Sequence, residues 1–163
     1  MVWLTCCPRD STANRFMSST MVVHTTERNS GLDLVQLAGR LCLALVFFAA
    51  GISKIPDWAS MVAMVQARGL PEPELLLGAA AALQIVAGAF LLLGWRTRLA
   101  ALALAGFTIV ATVLFHPFWE APPNRFELDF AIFMSNLAVL GGLLFIAGTG
   151  GGRHSLDSGP GEG

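Results

Sequence analysis

Four stretches of about twenty residues, each nearly free of charge, recur at short intervals along the chain, over 32–53, 75–95, 99–119 and 128–148. At about 1.5 Å of rise per residue, each is long enough to cross the hydrocarbon of a bilayer as a helix. The first contains LAGRLCLALVFFAAGISK from Leu37 to Lys54, and Pro56 stops it. Asp33, two residues after Gly31, is placed to neutralise its first turn. The second, Leu75 to Trp95, carries Gly78, Ala82 and Gly88, the small residues that let helices approach closely in lipid. The third ends in His116-Pro117-Phe118-Trp119, where proline closes the helix and two aromatics mark an interface. The fourth is broken by Gly148-Thr149-Gly150-Gly151-Gly152. Between the first two, Trp58, Met61, Val62 and Val65 repeat at helical spacing in a segment too short to cross, which predicts a helix lying at the interface. The pattern predicts an all-α integral membrane protein, a four-transmembrane-helix antiparallel bundle with a short interfacial helix between spans one and two.

The flanks lack this pattern. Residues 1–30 are mixed and polar with no period that buries a face, and read as a flexible N-terminal tail. The membrane domain then occupies 31–149, and 150–163 reads as a flexible C-terminal tail. Leu41 to Gly51 has the look of a short signal-peptide core, but the long leader before it and Lys54 just after it predict a retained span. Counting cations with the N-terminus inside places Arg9, Arg15, Arg28, Arg96, Arg98 and Arg153 on one side, against Lys54, Arg68 and Arg125 on the other. Both termini are therefore expected in the cytoplasm, across a bacterial inner membrane.

Composition agrees. Of the 163 residues 55% are hydrophobic and 13% charged, with a mean hydropathy of +0.65, whereas about a quarter of a soluble domain is charged. A net charge of -1 without a basic cluster argues against nucleic acid as a partner. The three cysteines, Cys6, Cys7 and Cys42, form no CxxC and no metal-ligand spacing with histidine, so neither a disulfide framework nor a metal site is expected.

Candidate chemistry lies in the few polar residues inside the spans. A cation near a bilayer's interior costs roughly 2.5–3.5 kcal/mol, so Arg40 needs partners. Counted by rise per residue, Arg40, Gln84 and Asn136 all fall deep enough to meet near the midplane. Lys54 and His116 share an outer level with Asp57, Glu127 and Asp129, and Arg98 is in helical phase with His116. The ligand candidates are thus Arg40, Lys54, Gln84, His116 and Asn136; Gln84 and Asn136 serve equally well as interhelical glue. Gly51, Gly88, Gly141 and Gly142 are the expected helix-packing contacts.

The order of Gly39-Arg40, Gly51-Ile52-Ser53-Lys54, Gly69-Leu70-Pro71, Gln84 with Gly88, Gly94 with Thr97-Arg98, the His116 to Trp119 stretch, Asn136 with Gly141-Gly142, and Gly152-Arg153-x-Ser155-x-Asp157 resembles the DoxX family of bacterial four-span membrane proteins, over about residues 34–157. Members often carry glutamate where this chain has Gln84. The resemblance implies a cytoplasmic-membrane location and, by analogy with thiosulfate:quinone oxidoreductase subunits, a link to redox complexes and quinone. The chain has no flavin, iron–sulfur or haem-pair ligands of its own, since His116 is the one histidine within a span. It is expected to carry no intrinsic cofactor, to bind a quinone, and to meet the bilayer, a redox partner protein and further copies of itself. A transporter of small anionic solutes and a purely structural subunit are the competing readings.

Overall fold

The computed structural model describes the backbone of residues 11–157 and the side chains of residues 31–157; Cys6 and Cys7 lie outside this range. The chain divides into two compact units, Met1–Val35 and Gln36–Gly163. In the first, the described backbone is helical from Ser11, at residues the sequence assigned to a tail; no proline interrupts them. Everything below concerns the second unit.

Its elements are the continuation of α1 (Ser11–Ile52), then α2 (Trp58–Ala67), α3 (Pro73–Leu93), α4 (Thr97–Phe115), a 3₁₀ turn (Phe118–Glu120) and α5 (Pro123–Thr149). Among the described residues, four segments are long and apolar enough to cross a membrane: Gly31–Ile52, Pro73–Leu93, Thr97–Glu120 and Pro123–Thr149. The helix α2 between the first two is too short to cross. The fourth crossing begins five residues before its sequence-predicted start. Pro122 and Pro123 open α5 instead of ending a loop, because the first helical turn needs no N–H from proline.

Small residues at helical spacing face inward. Along α4 the buried positions are Thr97, Ala100, Ala101, Leu104, Ala105, Thr108 and Thr112, and along α3 they are Leu77, Ala81, Gln84, Ala87, Gly88 and Leu91. Of these, Ala87, Leu91, Ala100, Ala101, Leu104 and Ala105 join Ala44, Phe47, Leu143 and Ile146 in a core rich in alanine, which brings backbones close where lipid offers no hydrophobic drive between helices. Large apolar side chains such as Leu45, Leu75, Leu99, Leu102, Leu144 and Phe145 stay exposed, as a lipid-facing surface requires. The aromatic end of the third crossing is a cluster: the Phe118 ring packs edge-on against Trp119, Phe126, Phe130 and Phe133.

Three of the four predicted packing glycines sit at close approaches. A methyl group on Gly88 would stand 3.2 Å from the Phe48 nitrogen, one on Gly51 2.7 Å from Ile85, and one on Gly142 3.1 Å from Leu43. Gly141 is the correction: its added methyl would meet nothing within 4 Å, so it faces away from the helix contact its neighbour makes.

Candidate functional site

The polar residues do not form one column. They form two groups near opposite ends of the bundle, with about 18 Å of α1 between Arg40 and the helix end at Ile52 that precedes Lys54.

At the Arg40 end, the residue is 2% exposed and its guanidinium donates to the carbonyls of Gly151 and His154 at 2.5 and 2.6 Å. This corrects the expectation that Arg40 meets Gln84 and Asn136. A helical side chain leans toward the N-terminus of its helix, so the long Arg40 arm runs back to the segment after α5, where carbonyls at a helix end lack partners. Gln36, one turn earlier on α1, donates from Nε2 to Gly150 O at 2.8 Å and Thr149 Oγ1 at 3.2 Å. Residues 150–157, predicted as part of a free tail, are thereby held against the bundle.

Asp157 completes the clasp. Its Oδ1 accepts from the Arg96 N–H at 2.7 Å and its Oδ2 from the Thr97 N–H at 2.8 Å, while its own N–H donates to Gly94 O at 3.0 Å. The first turn of α4 contains no acid of its own, so a carboxylate sixty residues away supplies the cap. Burial tends to raise the Asp157 pKa, but the N–H groups of Thr97 and Arg96 and the positive charge of Arg40 outweigh it and hold the carboxyl below its ordinary value. Gly94, at φ 70, makes room: a methyl there would sit 2.6 Å from both Arg40 Nη1 and Ser155 Cβ.

At the other end, Lys54 lies just past the first span and leans back onto α1. Its Nζ donates to Ala50 O and to Gln84 Oε1, both at 2.7 Å. Burial lowers its pKa from the ordinary lysine value. Gln84 is therefore tied to the first crossing through Lys54 and not through Arg40.

Lys54 and Gln84 form part of the wall of a cavity of about 710 Å³, to which α1, α2, α3, α4 and α5 each contribute. Phe47, Met61, Met64, Leu83, Phe107 and Leu114 are among its mostly apolar lining, and its few polar contributors include His116, Asn136 and Thr108. Four of the five ligand candidates thus share one space, and Arg40 is absent from its lining. The Thr108 hydroxyl is engaged by Leu104 O at 2.8 Å, whereas the Asn136 amide has no hydrogen-bond partner among the described residues. His116 stands with Nδ1 3.6 Å from Asp129 Oδ1, and the same oxygen is 3.5 Å from Arg125 Nη2. Asp129, 6% exposed, so stands with one carboxylate oxygen between Arg125 and His116. Asp57 and Glu127 form no ion pair with His116, and Arg98 lies at the far end of α4 beside Gly150.

Sequence reasoning missed Asp157 as a cap and the methionines of α2 as cavity wall. The first had a signal, since a helix opening on Arg96-Thr97-Arg98 needs an acceptor from elsewhere. The second had none, because the face an interfacial helix turns to its neighbours depends on where α2 docks.

Residues 35–117 match the family described as DoxX. The chain is 34% identical over 125 residues to the inner membrane protein YqjF of Escherichia coli K12, covering 77% of this chain and 91% of that protein. It is 27% identical over 121 residues to the inner membrane protein YphA of the same organism, covering 74% of this chain and 86% of that one. A Surfeit locus protein 4 homolog of Schizosaccharomyces pombe is 26% identical over 86% of this chain, which spans 45% of that protein. No solved structure matches.

Proposed function

Because this chain belongs to the DoxX family of integral membrane proteins, we propose that it is a ligand-binding subunit of a membrane redox complex, holding a quinone in the cavity beside Lys54 while a partner protein supplies the electrons. The observation that carries this reading is the cavity itself: about 710 Å³ of largely apolar space, the size of a small-molecule site, with an ammonium on its wall. A quinone needs an apolar slot for its ring and tail and a donor for its carbonyl. Lys54 uses two of the three donors of its ammonium on Ala50 and Gln84, which leaves one for an occupant. His116 and Asn136 on the same wall offer further polar contacts. In this reading both termini face the cytoplasm of a bacterial inner membrane, as the cation count predicts, and the cavity opens nearer the outer side.

The test is equilibrium binding of decylubiquinone to the purified chain in detergent. A hydrogen bond from a charged donor is worth roughly 1.5–3 kcal/mol, so Lys54→Met is expected to weaken binding about tenfold or more. Absence of binding to the unaltered chain, or equal binding by the variant, refutes the quinone reading.

A further inference from the structure

The buried and half-buried cations of the bundle differ in how their charge is answered. Arg40 has two carbonyls and the field of Asp157. His116, if protonated, has Asp129 at ion-pair distance. Lys54 has two oxygens, both neutral, and no carboxylate among the described residues within ion-pair distance. An ammonium turned toward apolar space without a counter-charge is costly, and one open donor marks where a single anionic oxygen would relieve it.

We infer that the cavity beside Lys54 binds a single-chain carboxylate amphiphile, a fatty-acid anion, its headgroup on Lys54 Nζ and its chain along the apolar wall. Several observations fit that occupant. The single remaining donor of Lys54 matches a single carboxylate oxygen better than a phosphate with several. The cavity volume is that of one small ligand. Met61 and Met64 line the cavity from α2, and an unbranched thioether side chain adapts to a flexible alkyl chain. Asn136, whose amide has no hydrogen-bond partner among the described residues, can donate to the second carboxylate oxygen. The inference rests on the reading of this cavity as a ligand site, but not on the quinone assigned to it.

The experiment compares three probes on the purified full chain in detergent: laurate, dodecanol and decylubiquinone, each by equilibrium binding. Laurate and dodecanol share a chain, so their difference isolates the charge. Laurate is expected to bind at least tenfold more tightly, with Lys54→Met removing the difference and Lys54→Arg keeping it. Equal affinities for laurate and dodecanol overturn the inference, as does discrimination that survives Lys54→Met. Where Lys54→Met does not fold, the unaltered chain and Lys54→Arg still decide it. Decylubiquinone binding without laurate binding overturns the fatty-acid inference alone; laurate binding without decylubiquinone binding supports it and overturns the quinone reading. Failure of all three probes overturns both.

Discussion

Replacing Asp157 by alanine removes two hydrogen bonds, at 2.7 and 2.8 Å, from the first turn of α4 and one negative charge from its positive end. Loss of an N-terminal cap costs about 0.5–2 kcal/mol, and the helix-dipole contribution at an exposed position about 0.3–1 kcal/mol. Because Asp157 is solvent-exposed, screening trims the charge contribution, and about 1–2 kcal/mol is the expected total. For a chain of this size each kcal/mol moves the unfolding midpoint by roughly 2–4 °C, so Asp157→Ala should lower it by about 2–8 °C. Asp157→Asn, which keeps one carbonyl acceptor, should fall between. The sign of the pH dependence follows from the carboxyl being held below its ordinary value in the folded state. Its contribution is fully present above the unfolded pKa of about 3.9 and is lost as pH falls through the lower folded value. The difference between the chain and Asp157→Ala should therefore be largest near neutrality and shrink under acid. Thermal melts in detergent, followed by circular dichroism across pH and salt, make the measurement. Equal midpoints at neutral pH, or a difference that grows on acidification, would refute the capping argument.

Arg40→Gln should destabilise more than Asp157→Ala, by about 3 kcal/mol or more, since it strips two charge-assisted bonds from a 2%-exposed site and leaves the Gly151 and His154 carbonyls without their donor; comparing the two melts tests the ranking. Gly88→Ala should cost about 1–3 kcal/mol, because its methyl would stand 3.2 Å from the Phe48 nitrogen and 3.3 Å from Ala44 O. Gly141→Ala, with nothing within 4 Å, should change the midpoint little, and the same melts distinguish the two glycines.

The crossings were legible because their signal is one-dimensional: a run of apolar residues either spans hydrocarbon or does not. The interfacial α2 followed from the same logic, with Trp58 and a periodic stripe too short to cross. What the chain order hid was direction. Rise per residue placed Arg40 at a depth near Gln84 and Asn136, but depth of a Cα does not say where a long side chain ends. Arg40 and Lys54 both lean toward the N-terminus of α1, the first out to Gly151 and His154, the second back to Ala50 and across to Gln84. One expected group became two for that reason. Asp157 was hidden differently, because its partner turn lies sixty residues upstream and only folding shows the two meet.

The clasp also bears on the order of events during synthesis. Arg40 enters the membrane early, yet the carbonyls that receive its guanidinium belong to residues 111 and 114 positions downstream. Until those residues leave the ribosome, the first helix holds an unanswered charge, so the bundle cannot lock as its crossings arrive one by one. Nascent chains halted short of Gly151 would keep that defect.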